Sequence, residues 1–175
     1  PYLVWQPELR EPERSDIAEL NVSRYDYENG NVLLVKQTDY AQQQVGVAIR
    51  FGNGELGSTS AALSALAQAV LNNSGTGRMS REQVRRLLDG SSLSYGFSMD
   101  EDALVLRGSA VTTEMELLFQ LLATLMQDPG FSDAARTRAL QRYDMLFARR
   151  DRDVDAAFSH LLEKQMGGGV DGFAI

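Results

Sequence analysis

The side chains able to do chemistry are few and scattered along this 175-residue chain. The one histidine, His160, lies inside an amphipathic pattern near the C-terminal end. As a functional group it would be a general base or a lone metal ligand. As a surface or packing residue of a helix it needs no partner, and that is the reading adopted. A transition-metal site needs several converging His, Cys or carboxylate donors, and the chain has no cysteine at all. A serine nucleophile needs an activating base and an orienting group, yet no Gly-x-Ser-x-Gly elbow occurs. Ser74-Gly75-Thr76-Gly77 is only superficially a phosphate cradle, because it lacks the Lys-Ser/Thr ending and follows a helical pattern rather than a strand. A helix-terminating turn accounts for it better. Asp100, Glu101 and Asp102 can in principle hold calcium or act as an acid/base pair. They lack the glycine pattern of an EF-hand loop, and three acids in a hairpin connection read as a solvated turn. The run Arg149-Arg150-Asp151-Arg152-Asp153 reads as a solvated face with internal ion pairs. No catalytic, cofactor-binding or metal-ligating residue is assigned.

The bulk numbers narrow the partners. A 43% hydrophobic content suffices for a real core, and 24 acidic against 17 basic residues give a net charge of −7. Nucleic acid is excluded on that balance, since phosphate binding needs a basic surface. No apolar run reaches the roughly 18–20 residues that span a bilayer, and no polybasic block marks a membrane surface. The absence of cysteine leaves the compartment open. Both ends read as cuts within a longer polypeptide.

Around these residues the expected elements are as follows. Residues 1 to 17 are rich in Pro, Glu and Arg and are expected to be a linker or surface arm. A strand pattern from 19 to 27 leads into Asn29-Gly30, the strongest short hairpin signal, and Val32 to Val35 follows. A third strand alternates Val45, Val47 and Ile49 between 44 and 51. Ser58 or Ser60 caps a helix whose apolar residues include Leu66, Val70 and Leu71. Ser80, with Gln83 three residues on, opens a second helix through a capping box. Strands at 92–98 and 103–110 precede a long helix opened by Thr113 with Glu116 and stopped at Asp128-Pro129-Gly130. Ser132 caps a helix to about 149, and a last one runs from Val154 to Met166. The order β-β-β-α-α-β-β-α-α-α predicts an α+β fold, with helices packed on one face of a mainly antiparallel sheet. Residues 18–167 form one domain, and 168–175 begin the next segment.

Taken together, the hairpin and strand "YDYENGNVLLVKQTDYAQQQVGVAIRFGNGE", the segment "SALAQAVLNNSGTGRMSREQVRRLLDGSSLSYGFSMDEDALVLRGSA" and the closing "LLFQLLATLMQDPGFSDAARTRALQRYDMLF" resemble the pitrilysin/insulinase-type zinc metallopeptidases, which include the mitochondrial processing peptidases. The resemblance covers roughly residues 19 to 166 and is nearest the third domain of long bacterial members built from four such units. It implies the metalloprocessing-peptidase-like (LuxS/MPP-like) fold. Active members carry H-x-x-E-H on the helix before the Gly-Thr turn, two histidines holding zinc and the glutamate activating water. Counting back from Gly75, the corresponding stretch here is Leu66-Ala67-Gln68-Ala69-Val70. The family's later glutamate ligand has no counterpart, since no glutamate occurs from Leu117 to Leu162.

The resemblance therefore implies a non-catalytic domain of a larger zinc-dependent peptidase, packing against sister domains of the same polypeptide and helping to enclose or position an unfolded peptide. Zinc is expected in a separate domain, and no cofactor in this one. A periplasmic parent protein is implied by the bacterial members, and strand addition at a sheet edge is one route to peptide binding. The alternative is an interaction or assembly subunit of the same fold with no proteolysis anywhere in the protein.

Overall fold

In the computed structural model, residues 10–57 and 60–150 are described, together with Phe158 and Leu162. The chain divides into two compact units, Pro1–Gln44 and Val45–Ile175.

The first unit holds a three-stranded antiparallel sheet of β1 (Glu13–Ile17), β2 (Val22–Asp26) and β3 (Val32–Val35), in that spatial order. Glu13–Ile17 forms a strand inside the segment expected to be a linker. Its charged sequence hides a β-strand because both faces are exposed, so no apolar alternation marks it. A 3-10 turn at Ala18–Leu20 and Asn21 in the left-handed region (φ 51°) bring the chain back for pairing. The Asn-Gly turn forms as expected. Gly30 sits at φ 82°, its N–H donates to Tyr27 O at 2.9 Å, and Asn31 N–H donates to Asn29 Oδ1 at 3.0 Å.

The second unit contains β4 (Gln44–Phe51, its first residue at the unit boundary), α1 (Ala61–Ser74), α2 (Arg81–Leu88), β5 (Ser94–Met99), β6 (Leu104–Val111), α3 (Met115–Gln127) and α4 (Asp133–Arg150). Its sheet has the order β4-β6-β5, with β5 and β6 antiparallel. The α+β class and the sequence of strands and helices follow the expected pattern, with β1 added at the front. Of the helix expected at 154–166, only Phe158 and Leu162 are described, both helical.

The predicted caps form at three helices. Ser60 Oγ accepts from Leu63 N–H, and Ser80 with Gln83 makes a full capping box. Ser132 Oγ accepts from Ala135 N–H. At α3 the expectation fails. A 3-10 turn at Thr112–Glu114 precedes the helix, and Thr113 does not cap it. Glu114 instead accepts from the backbone N–H and the hydroxyl of Ser92.

The core lies between this sheet and its helices. Leu106 and Ala110 of β6 pack on Leu118 and Leu122 of α3, with Val47, Ile49, Tyr95 and Phe97 alongside. Arg107 and Ser109, which alternate with them, are exposed, as expected for a sheet covered on one face. Gly108 lets α3 approach closely: a Cβ there would stand 2.5 Å from Leu118 Cδ1. A second cluster joins α1 to α4 through Val70, Ala135 and Ala139.

Candidate functional site

The helix α1 carries Leu66 to Val70, the stretch that the resemblance aligns with H-x-x-E-H, so the use of its side chains matters most. It makes two kinds of contact. On one face Leu66 and Ala69 pack against Val70, Ala135 and Ala139, and small alanines on α4 allow that close approach. On another face lie two amides one turn apart. Asn72 Oδ1 accepts from Phe97 N–H at 2.8 Å while its Nδ2 donates to Phe97 O at 2.7 Å. Gln68 Oε1 accepts from Met99 N–H at 2.9 Å.

These amides have a clear physical role. β5 is an edge strand of its sheet, and every second residue of an edge strand turns its N–H and C=O outward. Phe97 and Met99 are such residues, and a helix with i, i+4 amides matches their i, i+2 spacing. The Asn72 Nδ2 also donates to Gln68 O at 3.0 Å, which fixes its rotamer. Sequence reasoning missed this pair. The available signal was two amides at helical spacing within an otherwise apolar stretch.

The α1 C-terminus is locked to the start of α4. Ser74 Oγ donates to Val70 O at 2.7 Å and accepts from Ser132 N–H at 3.0 Å. Gly75 adopts φ 81°, and a Cβ there would lie 2.5 Å from Met79 O. Thr76 bridges to Pro129, and its Oγ1 accepts from Met79 N–H at 3.0 Å. Ser74-Gly75-Thr76-Gly77 is thus a helix-ending turn clasped by the loop after α3.

The acidic hairpin carries an ion-pair network. Asp100 accepts from Arg107 Nη2 at 3.0 Å and Arg50 Nη1 at 3.3 Å, and Asp102 accepts from Arg50 Nη2 at 2.7 Å. The hydrogen bond from Arg107 holds the Asp100 carboxyl below the usual carboxylate range, helped by Ser98. The Asp100 and Glu101 carbonyls accept from Glu55 and Leu56 N–H, both at 3.0 Å. The carboxylates of Asp100 and Asp102 are thus engaged by arginines. His160 and the stretch 151–153 lie outside the described residues, as do the side chains of Arg149 and Arg150.

Among the described residues no three His, Cys, Asp or Glu side chains gather within reach of one metal ion. Among them, too, no helix is long and apolar enough to cross a membrane. One depression is apolar: about 180 Å³, walled by Phe51, Leu71, Tyr95, Leu106, Leu125 and Phe131.

This architecture is shared with known structures. The periplasmic protease PqqL from Escherichia coli matches 94% of the chain with a TM-score of 0.80 at 18% identity. The peptidase M16 inactive domain from Pseudomonas fluorescens matches 83% of it with a TM-score of 0.66 at 19% identity. The fold is that of an M16-type peptidase domain. The ferredoxin protease FusC, solved in complex with an Arabidopsis ferredoxin, shares this M16-type fold over 90% of the chain, with a TM-score of 0.68 at 22% identity. The chain spans 18% of the length of FusC and of PqqL, and 35% of the inactive-domain chain. No protein-family model and no curated protein matches the sequence. The pitrilysin-like fold expected from the sequence is therefore seen in the structure.

Proposed function

We propose that this chain is a non-catalytic domain of a larger zinc-dependent peptidase, where it packs against sister domains and helps to position an extended peptide. The observation that carries this reading is the commitment of α1. At the positions the resemblance aligns with zinc ligands and catalytic glutamate stand Leu66, Ala69 and Val70, all engaged in packing on α4. None has a lone pair to offer a metal, so the residues present do not fit zinc, and no catalytic step is derived through it. Zinc and hydrolysis belong to another domain of the parent protein, and a periplasmic location is supported by the likeness to PqqL.

Exposed apolar side chains support the packing role. Val32, Leu33, Leu34 and Val35 of β3 are 45–59% exposed, and Met145 and Leu146 of α4 are 67% and 50% exposed. A sheet of three short strands needs a covered apolar face for independent stability. Large apolar patches of this kind mark interaction surfaces.

The test is metal analysis and a peptide-cleavage assay on the 175-residue chain. The expected result is no stoichiometric zinc and no turnover; bound zinc at one equivalent with turnover would overturn the proposal. Sequencing the parent gene distinguishes the alternative: a domain with H-x-x-E-H supports the peptidase reading, and a parent lacking it makes this an assembly subunit.

A further inference from the structure

The chain contains the pair Asn-Gly twice, at Asn29-Gly30 and Asn53-Gly54. An asparagine followed by glycine can react with its own backbone. Glycine has no Cβ to hinder the approach of its nitrogen to the side-chain carbonyl carbon. The two sites share this chemistry and differ in their surroundings.

Asn29-Gly30 forms the tip of the β2–β3 hairpin, and both residues are exposed. The space around Gly30 is open: a Cβ built there meets no atom within 4 Å. The Asn29 side-chain carbonyl is also hydrogen-bonded in the sense that favours attack on its carbon. Oδ1 accepts from Asn31 N–H at 3.0 Å, and a donor aimed at an oxygen stabilises negative charge that develops on it. One bond holds the nucleophile back, from Gly30 N–H to Tyr27 O at 2.9 Å. It lies in an exposed turn, where such bonds open most readily.

Asn53-Gly54 is caged. Gly54 is buried, and a Cβ there would collide with Asp100 O and Ala103 N of the β5–β6 connection. The backbone that follows is bonded at three points. Gly57 N–H donates to Asn53 O at 3.3 Å, Glu55 N–H to Asp100 O and Leu56 N–H to Glu101 O. Swinging Gly54 N toward the Asn53 side chain would disturb this whole set. The other asparagines of the same stretch, Asn72 and Asn73, lie in α1 with their amides bonded to Phe97 and Ala69.

We propose that Asn29 is a site of spontaneous deamidation in the folded chain, and that the fold protects Asn53. A solvent base takes the Gly30 amide proton, and the nitrogen forms a bond to Asn29 Cγ. The Cγ–Nδ2 bond breaks, and Nδ2 leaves as ammonia with a proton from solvent. Water then opens the cyclic imide at either carbonyl, giving aspartate or isoaspartate, with no oxidant or reductant involved. Either product sets a new carboxylate beside Glu28, whose own carboxylate accepts from Arg10 Nη1 at 2.9 Å. Isoaspartate also adds a methylene to the main chain of the turn.

The test follows both sites by mass. The 175-residue chain is held in mildly alkaline buffer, either folded or unfolded in guanidinium chloride, and samples are then unfolded and digested briefly with trypsin. Asn29 falls in the peptide 25–36 and Asn53 in 51–78. Fragmentation mass spectrometry assigns the altered residue in each, and a zero-time sample sets the background. In the folded chain Asn29 is expected to be lost about tenfold faster than Asn53 or more, because an exposed turn opens far more often than a buried one. In the unfolded chain both are expected to be lost at similar rates. Equal loss at the two sites of the folded chain, faster loss at Asn53, or persistence of Asn29 would overturn the proposal.

Discussion

Asn72 meets both outward-facing backbone groups of Phe97 with one amide, and Leu at that position keeps the size while removing every bond. Asn72→Leu is expected to lower stability by about 1–3 kcal/mol, the cost of leaving such groups unsatisfied, read as a shift in the urea midpoint. Gly108→Ala tests the opposite failure, overpacking. A methyl 2.5 Å from Leu118 should cost about 1–3 kcal/mol in the same measurement. Asp100 gives a pH signature. Its carboxyl is depressed in the folded state by the Arg107 hydrogen bond, so its contribution is fully present above the ordinary carboxylate pKa of about 4. That contribution is lost as pH falls through the lower folded value. Asp100→Asn should therefore lessen the fall in stability between about pH 5 and pH 2, leaving the rest of the acid transition to other carboxylates.

At the scale of elements, α1 is held by its packing on α4. Val70 is 8% exposed and faces Ala135 and Ala139, so polar replacements there must break the α1–α4 contact. The triple variant Leu66→His/Ala69→Glu/Val70→His is expected to show no zinc-dependent proteolysis and a lower melting temperature. Measurable zinc-dependent cleavage would contradict the account of this helix. The α3–sheet contact should be the more costly one to damage. Leu122 is fully buried against β6, and Leu122→Ala should cost about 2–5 kcal/mol. The capping serines were legible in the sequence because a cap is a local bond between residues three apart. The start of α3 was not, since Glu114 is drawn to Ser92, 22 residues away.

For the molecule as a whole, the division at Gln44 is the feature that composition conceals. The connection after β3 is exposed throughout residues 36–43, and exposed loops are preferred sites of nicking. Limited trypsin digestion is expected to cut after Lys36 and leave the second unit resistant, with mass spectrometry locating the cut. The apolar residues left exposed on β3 and α4 belong to the same scale, as the surfaces that the proposed packing against sister domains would cover.

By itself the sequence determined the elements from β2 to α4, the α+β class and the absence of metal-binding side chains from α1, because periodicity, caps and residue type are local properties. It could not reveal β1, whose charged residues carry no buried face to betray a strand. Nor could it show that Gln68 and Asn72 seal the β5 edge, or that Ser74 ties the end of α1 to Ser132. Those depend on which segments the fold brings together across dozens of residues, and only tertiary packing decides that.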